Sequence, residues 1–200
     1  MKSGIEKIRL AEAELNRIIR GKPEVIHNLL IAFVSGGNIL LDDVPGVGKT
    51  TLLAHIAEEL LARSDVRTFY MPQNYAELLP RDCTSVGFLA PDGDKAAVTA
   101  ARLLMGSAHF TREEMLAPIG ALSGGQRAKL CLLRPILSGA DVLILDEPTR
   151  NFSPLSNPVI RGILRGYGGA ILSVSHDRKY LLEVAETLYR QTPEGLRREW

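Results

Sequence analysis

Residues 40–51 read Leu40-Leu41-Asp42-Asp43-Val44-Pro45-Gly46-Val47-Gly48-Lys49-Thr50-Thr51. A short apolar strand, Asn38 to Leu41, runs into a glycine turn, and the spacing predicts a helix from about Lys49 to Arg63. Strand, glycine loop and helix, in that order, form the context that a phosphate-cradling loop requires. Against the pattern GxxxxGK[ST], the first glycine is replaced by Asp43. Gly46 and Gly48 let backbone N–H groups turn inward toward an anion. The helix beginning at Lys49 aims its positive dipole end at the same point. Lys49 is expected to reach the β- and γ-phosphates of a nucleotide, and the Thr50 hydroxyl, with Thr51 beside it, to ligate Mg²⁺.

Three further stretches belong to the same chemistry. Val142-Leu143-Ile144-Leu145-Asp146-Glu147 is a continuous apolar strand ending in two acids. Asp146 is expected to hold Mg²⁺ and Glu147 to orient and polarise an attacking water. Leu122-Ser123-Gly124-Gly125-Gln126 opens a helix running to about Leu137, with Ser123 at its start. That is a second phosphate-facing helix terminus, and one chain does not easily bring both to one nucleotide. Ser123, Gly124, Gly125 and Gln126 are therefore expected to address a γ-phosphate held by another subunit. Gln73 and His176 each follow a predicted strand, at 66–71 and 170–174. Such a glutamine can ligate Mg²⁺ and sense the γ-phosphate, and such a histidine can hydrogen-bond it.

The chain has 200 residues, enough for one domain and too few for two full nucleotide-binding domains. Net charge is +1, so global charge points to neither nucleic acid nor a membrane surface. Arg161, Arg165, Arg197 and Arg198 are read as solvated helix faces. Cys83 and Cys131 form no metal-binding pattern and are expected to be reduced thiols of a cytoplasmic protein. The opening is charged, lacks a signal-peptide core, and no run is long enough to span a membrane. Residues 5–19, 23–35, 157–166 and 177–187 read as helices, and 76–121 as a small helical insert. Alternating strands and helices predict an α/β fold, a mostly parallel sheet with helices on both faces.

From about Val66 onward the chain resembles the ABC ATPases, most closely the ABC-F type, through Gln73, the LSGGQ signature at 122–126, VLILDEPT at 142–149 and VSHDRKYL at 174–181. Ser123 to Asp146 spans 23 residues and Asp146 to His176 spans 30, both close to the family's spacing. The resemblance implies ATP as the nucleotide, Glu147 as catalytic base, His176 as γ-phosphate switch, and composite sites in a head-to-tail dimer. It departs at Arg150-Asn151-Phe152-Ser153, where Ser153 replaces the aspartate of the family's D-loop. Residues 1–62 resemble instead the MoxR branch of the AAA+ ATPases, through Ile18-Ile19-Arg20-Gly21-Lys22-Pro23 and LLDDVPGVGKT at 40–50. That branch tolerates Asp at the position of Asp43, and it implies that adenine sits against Ile18–Gly21, including Ile19 and Gly21. The AAA+ sensor, arginine finger and helical lid are absent downstream. Together the resemblances imply one P-loop NTPase domain over 1–200, joined at about 55–67 in an engineered or recombined hybrid, or a divergent natural protein. The function expected is Mg·ATP binding with weak hydrolysis. The alternatives are a non-catalytic nucleotide-binding scaffold, a ribosome-associated translation factor, or a transporter motor subunit.

Overall fold

The computed structural model describes residues 13, 27, 39–43, 49–62, 64–150, 152–192 and 195–199. Ala13 and His27 are helical and exposed, as the sequence pattern predicts for 5–19 and 23–35. Ile19, Gly21 and the loop residues 44–48 lie outside the described residues, so the readings placed on them are not addressed by the fold.

Six strands form one sheet: β1 (Ile39–Asp43), β2 (Thr68–Met71), β3 (Val142–Asp146), β4 (Ala170–Val174), β5 (Thr187–Thr192) and β6 (Gly195–Arg198). Their order across the sheet is β2-β3-β4-β1-β5-β6. The pairs from β2 to β5 are parallel, and β6 returns antiparallel to β5. Every residue of β3 and β4 is buried, as befits central strands covered on both faces. After β1 the chain passes through α1 (Lys49–Leu61) to the far edge at β2, steps back through β3 and β4, then crosses β1 to β5. The direction of winding therefore reverses at β1. Open α/β sheets bind ligands outside the carboxyl ends of their strands at such a switch.

Between β2 and the signature lies the expected helical insert: a 3₁₀ turn (Tyr75–Leu78), α2 (Ser85–Leu89), α3 (Lys95–Ser107), α4 (Arg112–Leu116) and a second 3₁₀ turn (Ile119–Ala121). Its helices begin at capping side chains: Thr84 accepts from Gly87 N–H, Asp94 from Ala96 and Ala97 N–H, and Thr111 from Glu114 N–H. Ala101 and Met105, four apart on α3, are fully buried with Ile119 and with Leu130 and Leu133 of α5 (Gly124–Leu137).

The sequence reading fails at the C-terminus. The helix expected over 177–187 is α7 (Arg178–Val184); Ala185 is extended, and β5 begins at Thr187. Thr187, Tyr189 and Thr192 favour a strand, and a place beside β1 decides the competition. Arg197 and Arg198 are accordingly on a strand, not a helix face. Arg161, on α6 (Asn157–Arg165), is buried rather than solvated, with its Nε 2.7 Å from Glu183 Oε2 on α7. The cysteines are free, as expected; burial pushes the Cys131 thiol up to about 12. No helix among the described residues is long and apolar enough to cross a membrane.

Candidate nucleotide site at the carboxyl edge of the sheet

Strand register brings the candidate residues to one edge. Val174 of β4 pairs with Leu41 on one side and with Asp146 on the other. Asp146 is therefore level with Leu41, two residues before the end of β1 at Asp43, across two strand spacings of about 4.8 Å each. β1 leads directly into the predicted phosphate loop, and α1 starts at Lys49. The backbones of Asp43, Lys49, Thr50 and Thr51 are thus placed at this edge.

Asp146 is 3% exposed, closing β3. The residue after it leaves the strand in the left-handed region: Glu147 has φ 51°. For a residue with a Cβ that conformation costs about 1–2 kcal/mol. Its N–H donates to Val174 C=O at 2.9 Å, and its C=O accepts from Arg150 N–H at 3.1 Å, so both ends of the turn are fixed. The turn carries the Glu147 carboxylate toward β4. Glu147 Oε1 lies 3.6 Å from His176 Nε2, and Oε2 accepts from His176 N–H at 3.4 Å.

His176 is positioned by its neighbours. Ser175 is fully buried, and its Oγ accepts from Asp177 N–H at 3.1 Å. Asp177 caps α7, accepting from Lys179 and Tyr180 N–H. Tyr180 is fully buried under β4 and donates to Ser173 Oγ at 3.2 Å. The histidine side chain stays half exposed, facing Glu147.

Gln73 follows β2 at the same edge and is exposed. Two residues on, the buried Tyr75 donates to Gly124 C=O at 2.9 Å, tying this loop to the first turn of α5. Ser123 caps that helix, accepting from Gln126 N–H. The signature is therefore tied to the loop after β2, a strand three positions from β1. Glu147 and His176 meet beside Asp146, while Ser123, Gly124, Gly125 and Gln126 are held through the β2 side of the sheet. Ser153 Oγ accepts from Ser156 N–H at 3.2 Å and contacts Ser156 Oγ at 3.1 Å, so its hydroxyl serves the turn before α6.

The donors fit a hard cation shared with phosphates. Mg²⁺ prefers oxygen and takes one or two carboxylates, with water and phosphate completing its shell. Asp146 supplies a buried carboxylate and Gln73 an amide oxygen. No group of three or more His, Cys, Asp or Glu side chains suited to a dedicated metal cage occurs among the described residues. Asp146 also acts at a distance: burial, and then its charge, push the Tyr70 hydroxyl above the usual tyrosine range. Glu147 in a left-handed turn and the Tyr75 link to the signature were not legible in the sequence; the one available signal, Pro148 after Glu147, disfavours continuation of the strand but does not give the hand of the turn.

A protein-family model described as ABC transporter matches residues 44–150. The chain belongs to the ABC transporter family. The match opens at the phosphate loop and runs unbroken through 55–67, where the sequence had suggested a seam between two lineages; nothing in the comparisons supports a MoxR half. ATP-binding protein Uup of Escherichia coli K12 is 32% identical over 174 residues, covering 82% of this chain and 27% of its own length. ABC transporter F family member 2 of Arabidopsis thaliana is 25% identical over 174 residues, 83% of this chain and 26% of its own. The chain thus spans about a quarter of the length of these curated relatives. The dimeric post-hydrolysis structure of the ATP-binding cassette MJ0796, bound to ADP and Pi, superposes with a TM-score of 0.68 at 16% identity, covering 82% of this chain and 85% of that one. The fold is accordingly that of an ABC cassette, an α/β P-loop NTPase.

Proposed function

We propose that this cassette, a single P-loop domain over 1–200, binds Mg·ATP at the carboxyl edge of its sheet and hydrolyses it weakly when two copies meet head to tail. The observation that carries the reading is the shared register of Leu41, Val174 and Asp146, which aligns the strand entering the phosphate loop with the acid-bearing strand. Lys49 and the loop amides of Gly46 and Gly48 would hold the β- and γ-phosphates. Thr50, Asp146 and Gln73 would hold Mg²⁺, which when bound neutralises charge on the phosphate oxygens. Glu147 would accept a proton from the attacking water, and His176 would hold the γ-phosphate and steady Glu147. Stabilisation of charge on the transferring phosphoryl would dominate the rate. Ser123 and Gly125, held through the β2 side of the sheet, would act on the partner's nucleotide. The dimeric state described for MJ0796 supports that arrangement.

Lys49→Ala is the test. Equilibrium binding of a fluorescent ATP analogue should be lost in this variant while the parent binds; equal affinity in both would refute the assignment. ATPase rate rising faster than linearly with protein concentration supports the dimer, and binding without turnover favours a nucleotide-binding scaffold.

The ABC-F relatives favour one elaboration: the cassette works in the cytoplasm as part of a ribosome-associated factor, which ATP-dependent co-sedimentation with ribosomes checks. The adenine pocket is a separate question: the sequence resemblance of the opening implies that adenine would rest against Ile18–Gly21. Loss of adenine over guanine preference in Ile19→Asp would support that pocket, and unchanged preference would remove it.

A further inference from the structure

The first turn of α5 is held by a carboxylate from a different helix. Ser123 and Gln126 form a capping box, in which Ser123 Oγ accepts from Gln126 N–H at 3.3 Å and Gln126 Oε1 accepts from Ser123 N–H at 2.7 Å. Thr111 and Glu114 form a second one at the start of α4. There Thr111 Oγ1 accepts from Glu114 N–H at 3.2 Å, and Glu114 Oε2 accepts from Thr111 N–H at 2.8 Å. The boxes are joined, because Gln126 Nε2 donates to the remaining oxygen, Glu114 Oε1.

This junction settles which way the Gln126 amide faces. A glutamine amide has one accepting and one donating end. With Glu114 opposite, the nitrogen must face the carboxylate, and the oxygen is left for Ser123 N–H. Hydrogen bonds to a charged acceptor are the stronger kind. Lys129, the next turn along α5, is buried; it donates to Ala108 C=O at 3.0 Å and lies 5.7 Å from the Phe110 ring centroid. The field of Glu114 acts on it, opposing the effect of its burial.

We propose that Glu114 is the positioning residue of the signature turn, fixing the Gln126 amide so that Ser123 and the amides following it hold the orientation in which they meet a phosphate. The inference rests on the trans role given to Ser123 above. Glu114 touches no nucleotide in this scheme; it acts through Gln126.

An exchange of the two side chains tests it. Glu114→Gln puts two amides face to face, and the new one can accept from either Thr111 N–H or Gln126 Nε2 but not both. Gln126→Glu sets two carboxylates against each other. The double variant Glu114→Gln/Gln126→Glu rebuilds every bond with donor and acceptor exchanged: the amide at 114 donates to the carboxylate at 126, whose second oxygen accepts from Ser123 N–H. The negative charge stays within reach of Lys129, three residues along the helix.

Amide exchange of Ser123 read by NMR, ATP affinity, and steady-state hydrolysis are measured on all four proteins. Each single variant should speed Ser123 exchange and lower kcat by about tenfold, the scale of one lost hydrogen bond, with ATP affinity at the phosphate loop unchanged. The double variant should recover Ser123 protection. Unchanged Ser123 exchange in the single variants, or a double variant as unprotected as they are, overturns the proposal. So does a parallel loss of ATP affinity, kcat and thermal midpoint that the exchange fails to restore. A parent chain that binds no ATP defeats the functional reading instead, and Ser123 exchange still decides the role of Glu114.

Discussion

The two ends of β3 carry acids that the protein treats in opposite ways. Asp141, where the chain enters the strand, is exposed and claimed by Arg67: Oδ2 accepts from the Arg67 N–H at 2.9 Å and from Nε at 3.2 Å, and Oδ1 from an Nη at 3.2 Å. Arg67 also donates to Ser138 C=O at 3.3 Å, so one side chain closes the junction of β2, α5 and β3. At the leaving end, Asp146 is sunk in the sheet, and Glu147 is thrown into a left-handed turn that aims its carboxylate at a histidine. The entering end is satisfied from within the fold. The leaving end holds backbone strain, and strain of that kind persists where the surrounding structure over-determines it, often at functional sites.

The sharpest way to break this contrast is through the chemistry. Glu147→Gln keeps size and turn but removes the proton acceptor. Turnover should fall by about 10²-fold or more, the range for a positioned general base, while ATP affinity holds. Hydrolysis at the parent rate would make the leaving end as passive as the entering one. The entering end should give the reverse pattern under Gly169→Ala. An added Cβ would sit 2.6 Å from Asp141 C=O and 2.8 Å from the Tyr167 ring, and Ala170 N–H donates to that same carbonyl. Backbone must move, at a cost of about 1–3 kcal/mol in urea unfolding, yet turnover per folded molecule should be retained. A selective loss of kcat with stability intact would contradict the division.

The strain itself can be isolated by comparing Glu147→Ala with Glu147→Gly. Both remove the carboxylate, so both should be inactive. Alanine ordinarily exceeds glycine in stability. At φ 51° the order should invert, with the glycine variant the more stable by about 1 kcal/mol. The usual order in denaturant midpoints would mean that Glu147 stores no strain.

The same contrast explains what the sequence made legible. β3 and β4 were readable as strands because burial on both faces leaves an unbroken apolar run, as in Val142–Leu145. Ser123 and Asp177 were readable as helix starts because capping is local. β5 and β6 were missed because their pairing with β1 and with each other is non-local, and Leu188 continues the helical spacing of Leu181, Val184 and Ala185. The Glu147–His176 contact joins residues 29 apart through the β3–β4 register, and no local pattern encodes it. Arg161 was misread for the same reason: its partner Glu183 lies on another helix.

The smallest expected effect belongs to Asp141 and depends on pH. Hydrogen bonds from the Arg67 side chain, and then its backbone, hold the Asp141 carboxyl below the usual aspartate value. The folded chain therefore takes up this proton less readily than the unfolded one. The stabilising contribution is complete above the unfolded pKa near 3.8, and it fades as pH falls through the lower folded value. Asp141→Asn retains an acceptor for the Arg67 N–H but removes the charge. At about pH 6 the parent should have the slightly higher thermal midpoint, with the curves converging as the pH falls below the usual aspartate range. Because the pair is exposed, about 1 M salt should shrink the gap. A gap that widened on acidification would have the wrong sign for a depressed carboxylate. One that ignored salt would place the bond's value in geometry rather than charge, and the entering end would then be a hydrogen-bonded clasp in which the ion pair contributes nothing.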